Sequence, residues 1–376
     1  VKYPLAAPDA IPQADLDALA DWLKTGPWLT MGNLVARFEE EFAQWLGVKH
    51  AVMVNSGSSA NLLMWAAVKR LKKLSHVTAP AVAWSTTISP AMQLGLHVEL
   101  CDVDEGTWGV REKQPAGIAV HVLGVPCGSW GHLLEDACAA LGSEHDGKKV
   151  GTTSWLSSFS FFWNHQASTI EGGMICTYDG GVADVLRILR AHGWANDLSP
   201  EREAVWWKRH GRGLFDFQRR FAFYLPGFNV RPTEIQAFLG LRQLSRLTEH
   251  AARRAENDAR YRKNLGGQSH VSIQHPRNGD KVSSIAVGIL AESPEHRARI
   301  SYALEQAGVE TRPVGGGNMA RQPFWRGRET SLPTALPTAF PVADMIHERG
   351  LQLPNGPHLS EMDVDIISET VLKVRP

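Results

Sequence analysis

Apolar positions along the chain follow two rhythms. LDALADWLKT (residues 16–25) and LVARFEEEFAQWLG (34–47) repeat apolar residues every three to four positions, which predicts helices with one buried stripe. AVMV (51–54) is a short apolar run that predicts a strand, and SSANLLMWAAVKRLKKL (58–74) returns to helical spacing. VTAPAV, HVELCDV, IAVHVLG and HLLED follow as short apolar strands separated by helical or turn-rich pieces. Strand and helix in alternation predict an α/β domain with a mainly parallel sheet sandwiched by helices.

The rhythm breaks near residue 195. From 195 to 225 the chain is polar, aromatic and poorly periodic, which predicts a long connection near the surface, a type of loop that often serves function. One long helix is expected from Pro232 to about Lys263, and VSSIAVGIL, HRARISYALEQAG and a final helix predict a smaller C-terminal α/β domain. The expected division is 1–235 for the large domain, with its N-terminal arm, and 236–376 for the small one.

Composition narrows the functional classes. With 39 basic and 39 acidic side chains among 376 residues, bulk charge gives no reason to expect nucleic acid or an anionic membrane as partner, so an anionic ligand must be held locally. The longest apolar stretches fall well short of the roughly 20 residues that span a bilayer. The N-terminal segment has no basic region followed by an apolar core, so a cytoplasmic location is expected. Cys101, Cys127, Cys138 and Cys176 lack the close pairing of zinc or iron–sulfur ligands, and no metal is expected.

Four segments carry chemistry. NSGSSANLL (55–63) follows a strand and opens a helix, where small residues let backbone N–H groups and hydroxyls converge on an anion; a plain Ser-rich helix cap is the structural alternative. HLLEDACAALG places Asp136 at the carboxyl end of a strand, where ligand sites of α/β folds form; an ordinary helix-capping Asp is the alternative. SSFSFFWNHQASTIEGGM sets Ser160 five residues before His165 and Glu171 six after it. FYLPGFNVRPTEIQ presents Asn229 and Arg231 beside a turn fixed by Pro and Gly.

In this order and spacing the four segments resemble the DegT/StrS sugar aminotransferase family of fold-type I pyridoxal-phosphate enzymes, over nearly the whole chain. The family's hallmark has a Ser five residues before, and a Glu six after, the lysine that binds the cofactor, so His165 takes the lysine position. With PAVAWSTT, STIEGGM, RAHGW and GNMARQPF, that exchange resembles a dehydratase branch of the family. The resemblance implies removal of the C3 hydroxyl from a nucleotide-linked 4-keto-6-deoxyhexose, a GDP-linked mannose derivative first among candidates. The residues themselves leave nucleotide and sugar stereochemistry open.

The implied cofactor is pyridoxal 5'-phosphate or pyridoxamine 5'-phosphate, not covalently bound, because an imidazole cannot form the imine that lysine forms. His165 is then the acid and base, with an ordinary imidazole pKa near ~6.5 suited to that work. By resemblance Ser56, Gly57, Ser58, Ser59 and Ser160 hold the phosphate, Trp84 stacks on the pyridine ring and Asp136 pairs with its nitrogen. Asn229 reaches the cofactor phosphate of the neighbouring subunit in a homodimer with shared sites. Glutamate is the implied amino donor. His192, Arg231, Arg312, Asn318, Arg321 and Gln322 are weaker candidates for sugar or diphosphate contacts. The chain departs from the family at Ala139, where a Glu or Gln is usual near the cofactor, in the short stretch from 109 to 130, and at Ala195 and Asn196, where a basic residue is usual. A transaminating enzyme using another lysine, and a silent cofactor-binding homologue, are the competing readings. The segment from Val150 to Ala204 is poor in lysine, and the retained cofactor shell argues against decay.

Overall fold

The computed structural model describes residues 1–127, 131–325 and 340–376. After an extended arm come α1 (Gln13–Lys24) and α2 (Asn33–Leu46). Helix α2 turns Val35, Phe38, Phe42, Ala43 and Leu46 inward and stops at Gly47, whose φ of +93° lies where side chains are rarely tolerated. Strand β1 (His50–Val54), α3 (Gly57–Ala67), β2 (His76–Pro80), α4 (Ser85–Gln93), β3 (His97–Cys101), β4 (Ile118–Val120) and β5 (Leu134–Asp136) follow. A small hairpin, β6 (Glu144–His145) and β7 (Lys148–Lys149), leads to β8 (Leu156–Ser160), β9 (Gly173–Thr177) and α5 (Gly180–Arg190).

The main sheet has the order β1-β9-β8-β5-β4. Pairs β8/β5 and β5/β4 are parallel, as is the β2/β3 pair, which a bridge from Thr78 to Gly117 joins to the β4 edge. Strand β9 runs antiparallel to both neighbours, so a sheet expected to be mainly parallel has its parallel pairs on the β8, β5 and β4 side and one reversed strand beside them. The reversal is local in cause: residues 161–172 turn the chain straight back from β8 into β9 without a crossover helix. His165 sits in that turn.

Beyond α5 the structure corrects two expectations. The segment from 195 to 225 holds α6 (Pro200–His210), with Ser199 Oγ accepting from Arg202 N, Pro200 at its first position, acids in its first turn and bases in its last. None of its residues is buried, which is why its sequence shows no helical stripe. The expected single helix after Pro232 is two, α7 (Glu234–Leu244) and α8 (Leu247–Leu265). Helix α7 packs on α1 and α2 of the main body, and α8 packs on α11 (Glu361–Lys373), the last helix. Packing therefore changes partner at Ser245 and Arg246, some ten residues after position 235, at a place with neither Gly nor Pro to mark it.

The second body contains β10 (Val271–Ile273), β11 (Asp280–Lys281), β12 (Ala286–Ala291), α9 (Pro294–Gln306), α10 (Pro341–Arg349) and β13 (Gly350–Pro354). Its sheet has the order β10-β12-β13, all antiparallel, while β11 pairs back onto β6. Tyr261, Ile289, Leu304, Leu353 and Ile367 fill its core, while Leu290 of β12 and Val342, Ala343 and Ile346 of α10 join the apolar layer of the main body. No helix among the described residues is long and apolar enough to cross a membrane.

Candidate active site

The carboxyl ends of β1, β5 and β8 converge on a cavity of about 600 Å³ lined by Ser56, Gly57, Ser58, Trp84, Asp136, Ser160 and His165, among others. At its floor Ser56 caps α3: its Oγ accepts from Ser59 N at 3.1 Å and lies 3.0 Å from Ser59 Oγ. Ser58 Oγ meets Thr86 Oγ1 at 2.7 Å. A Cβ on Gly57 would lie 2.6 Å from Ser160 Cβ, so only glycine lets the helix N-terminus approach the end of β8 this closely. Ser59, taken with the others as a phosphate contact, meets Ser56 Oγ through both its N and its Oγ and is not among the residues that line the cavity.

Asp136, at the end of β5, is 5% exposed. Its Oδ2 accepts from Asn61 Nδ2 at 2.9 Å and Thr87 Oγ1 at 2.7 Å, and its Oδ1 accepts from Cys138 N at 3.1 Å. Asn61 in turn accepts from Ser158 Oγ at 2.7 Å. These donors hold a buried carboxyl group at one wall of the cavity in one orientation and satisfy both of its oxygens. Sequence reasoning missed Asn61 and Thr87. The available signal is Asn61 itself, a polar residue on the inner side of a helix whose neighbours Ala60, Leu63 and Met64 are buried and apolar.

His165 lies on the opposite strand connection. Its backbone N donates to Phe162 O at 2.9 Å, its ring meets Phe162 edge to face at 5.9 Å, and its Nδ1 is buried with no hydrogen-bond partner. Burial pushes the imidazole down to about 4; the carbonyls of Cys138 and Ser160 and the Asp136 carboxylate pull the other way, and the buried Arg254 guanidinium adds to the depression. The base is thus unprotonated at neutral pH and its conjugate acid strong, a different balance from the free imidazole expected from sequence. Glu171 also borders the cavity, and Gln236 Nε2 donates to its carbonyl at 2.5 Å. Ile170 beside it has φ of +73°, a strained conformation for a β-branched residue.

Other candidates fall elsewhere. Arg312 borders the cavity and pairs with Glu310 at 2.8 Å. Asn229 is exposed, bridges to Ala191 through its backbone and accepts from Arg231 Nε at 3.2 Å; neither Asn229 nor Arg231 borders this chain's cavity. His192, with φ of +59°, packs on Trp194 at the end of α5. Asn318 is buried, donating to Asp344 Oδ1 at 2.8 Å, and Arg321 pairs with Asp344 at 2.6 Å and Glu348 at 2.8 Å. Gln322 Nε2 donates to Gly316 O at 2.6 Å. Asn318, Arg321 and Gln322 therefore serve internal contacts away from the cavity lining. Ala139 borders the cavity together with Cys138 and Asn164, whose Oδ1 is buried without a partner. The last three residues of the short stretch from 109 to 130 lie outside the described residues.

The chain is 33% identical to GDP-4-keto-6-deoxy-D-mannose 3-dehydratase of Yersinia pseudotuberculosis, over 85% of this chain and 86% of that protein. It is 32% identical to the enzyme of the same name from Escherichia coli O55:H7, over 85% and 87%. Among solved structures it is similar to a mutant of GDP-4-keto-6-deoxymannose-3-dehydratase (ColD) with bound GDP-perosamine, with a TM-score of 0.85, 28% identity, and coverage of 98% of this chain and 100% of that one. A structure of that dehydratase with a trapped PLP-glutamate geminal diamine gives a TM-score of 0.85 at 29% identity, with the same coverage. The sequence model of the DegT/DnrJ/EryC1/StrS aminotransferases matches residues 10–372, and the chain belongs to that family.

Proposed function

We propose that this chain is a pyridoxal-phosphate-dependent 3-dehydratase that acts on GDP-4-keto-6-deoxy-D-mannose, releasing a 4-keto-3,6-dideoxysugar, with glutamate as amino donor. The observation that carries this reading is a histidine where a lysine would form an imine: His165 borders the cavity, the other lining histidine, His121, is held by Glu135 and Cys127 N, and no lysine lines it among the described residues. A cofactor held there is not covalently attached to the protein.

The residues present fit a pyridine phosphate. The N-terminus of α3, with Ser56, Gly57 and Ser58 and with Ser160 opposite, suits a dianion, and the clearance at Gly57 lets one approach the backbone. Asp136, held by Asn61 and Thr87, suits a protonated ring nitrogen, and Trp84 supplies an aromatic face. When bound, the cofactor supplies an electron sink for the carbons that react. His165 moves the protons: its neutral imidazole accepts one from carbon, and the resulting imidazolium, a strong acid because of its burial, delivers one to the C3 hydroxyl oxygen as it leaves as water. The acid limb of kcat/KM should consequently fall below the usual imidazole value of ~6.5. A limb at or above that value would assign the controlling group elsewhere.

The test incubates purified protein with cofactor, glutamate and the GDP-, CDP- and dTDP-linked 4-keto-6-deoxy sugars, following ammonia and product mass. Ammonia with a product lacking one oxygen, from the GDP substrate first, is expected. A product that keeps its C3 hydroxyl and gains an amine would replace this reading with transamination.

The same reading includes a homodimer with shared sites, working on soluble substrates in the cytoplasm. Support comes from Arg312, the one arginine that lines the cavity among the described residues, which suits a substrate diphosphate, and from the exposed Trp84 and Phe162 that line it too. Asn229 and the aromatic side chains of Phe215, Phe217, Phe221 and Phe223 are exposed on one stretch of the chain, the last two against Trp194, which suits cover by a second subunit. Asn229→Ala should weaken cofactor binding by roughly 10- to 100-fold, the scale of one hydrogen bond to a charged group, with the melting temperature kept. An unchanged cofactor Kd, measured by equilibrium titration, would take Asn229 out of the phosphate site.

A further inference from the structure

The turn carrying His165 is anchored by the residue that follows it. Gln166 is 4% exposed, and its Nε2 donates to Ala139 O at 2.5 Å and to Ser283 O at 2.8 Å. Both acceptors are carbonyls, so the NH2 end of the carboxamide must face them; its Oε1 is buried without a partner. Ala139 borders the cavity. Ser283 belongs to the crossing segment between β11 and β12, whose Ser283 N donates to Ser143 Oγ at 2.9 Å and whose Ile285 N donates to Leu123 O at 3.0 Å. Ile285 and Leu123 are cavity walls. One residue earlier, Ser284 O accepts from the buried Arg254 at 3.0 Å and Ser284 Oγ from Asn355 Nδ2 at 2.7 Å, which ties the same segment to α8 and to the end of β13.

A single carboxamide thus joins the His165 turn, the wall after β5, and the seam leading into the second body. The imidazole itself has an unpartnered Nδ1, so much of its aim is set by the backbone beneath it. We propose that Gln166 is the positioning residue for His165: by bridging Ala139 and Ser283 it sets where the imidazole stands in the cavity and makes that position depend on how the second body is seated. The proposal rests on His165 as the acid–base group.

The test uses the full-length enzyme with cofactor and substrate. Gln166→Leu keeps the volume and removes both donors; Gln166→Glu keeps the shape and removes them once ionised. A fall in kcat of about tenfold or more is expected, since a misplaced base loses rate steeply. Substrate KM and cofactor Kd should stay within about twofold, and the melting temperature should be retained. In a His165→Asn background Gln166→Leu should cost nothing further, because its effect runs through the imidazole. The proposal is overturned by a kcat within twofold of the parent in both variants, by a full additional loss in the His165→Asn background, or by failure of both variants to fold. A His165→Asn enzyme as fast as the parent would instead remove the acid–base reading on which the proposal rests.

Discussion

Replacing His165 with asparagine should lower kcat by roughly 10²- to 10⁴-fold, the range that a positioned general acid and base contributes, while the protein folds and binds cofactor as before. Asparagine is smaller than the imidazole and gives up the ring contact with Phe162, but it keeps a polar tip and the backbone bond from its N to Phe162 O, so the turn from residue 161 to 172 should hold. What disappears is a nitrogen that accepts and returns a proton. The cofactor contacts attributed to Ser56, Gly57, Ser160 and Asp136 lie on other elements and should persist. Steady-state product formation, read beside equilibrium cofactor binding, separates the two effects. Activity within a few-fold of the parent would show that another group carries the proton.

The same residue shows how pH acts on the fold. The imidazole is held at about 4 in the folded chain, against ~6.5 when unfolded, so the unfolded state binds more protons between those values. Its contribution to stability is present above ~6.5 and is lost as pH falls toward 4. The parent should therefore lose more stability on acidification than a His165→Asn chain does, a difference that thermal melts at pH 7 and 5 resolve. Equal losses would contradict the depressed value.

Much of this site was legible because its information is local. Ser160, His165 and Glu171 stand at fixed spacing within one strand, turn and strand, and the residues from Asn55 to Leu63 contain their own cap. The partners of Asp136 come from 75 and 49 positions earlier, and no periodicity announces such meetings. The internal partners of Arg321, Asp344 and Glu348, were invisible for the same reason: both belong to α10, far along the chain. The fold divides likewise. Helices with a buried stripe were visible, whereas α6 buries nothing and so carries no stripe. The break between α7 and α8 follows from two helices choosing different partners, with Arg242 and Arg246 both reaching back to the buried Asp15. Tertiary demand bends the chain there without a sequence breaker.

Asp136→Asn should cost on the order of 10²-fold or more in kcat, the scale of removing one preorganised charge contact at a reacting centre. An amide of the same shape cannot stabilise a protonated ring nitrogen, so the electron sink weakens. It also sets an NH2 group against the donors of Asn61 and Thr87, or against Cys138 N if it turns over. Cofactor retention should suffer less than rate, because the phosphate contacts are untouched. Activity within a few-fold of the parent would remove Asp136 from this role. The variant also tests the shared site when it is combined with Asn229→Ala in a mixed dimer. If Asn229 acts across the interface, one site takes both defects and the other takes none. About half of the parent activity should then return, because the intact site works alone. If Asn229 serves its own chain, each site keeps one defect, and the mixed dimer does no better than the mean of the two single variants. Such a result, with the mixed dimer verified by mass, would place Asn229 outside its partner's cavity.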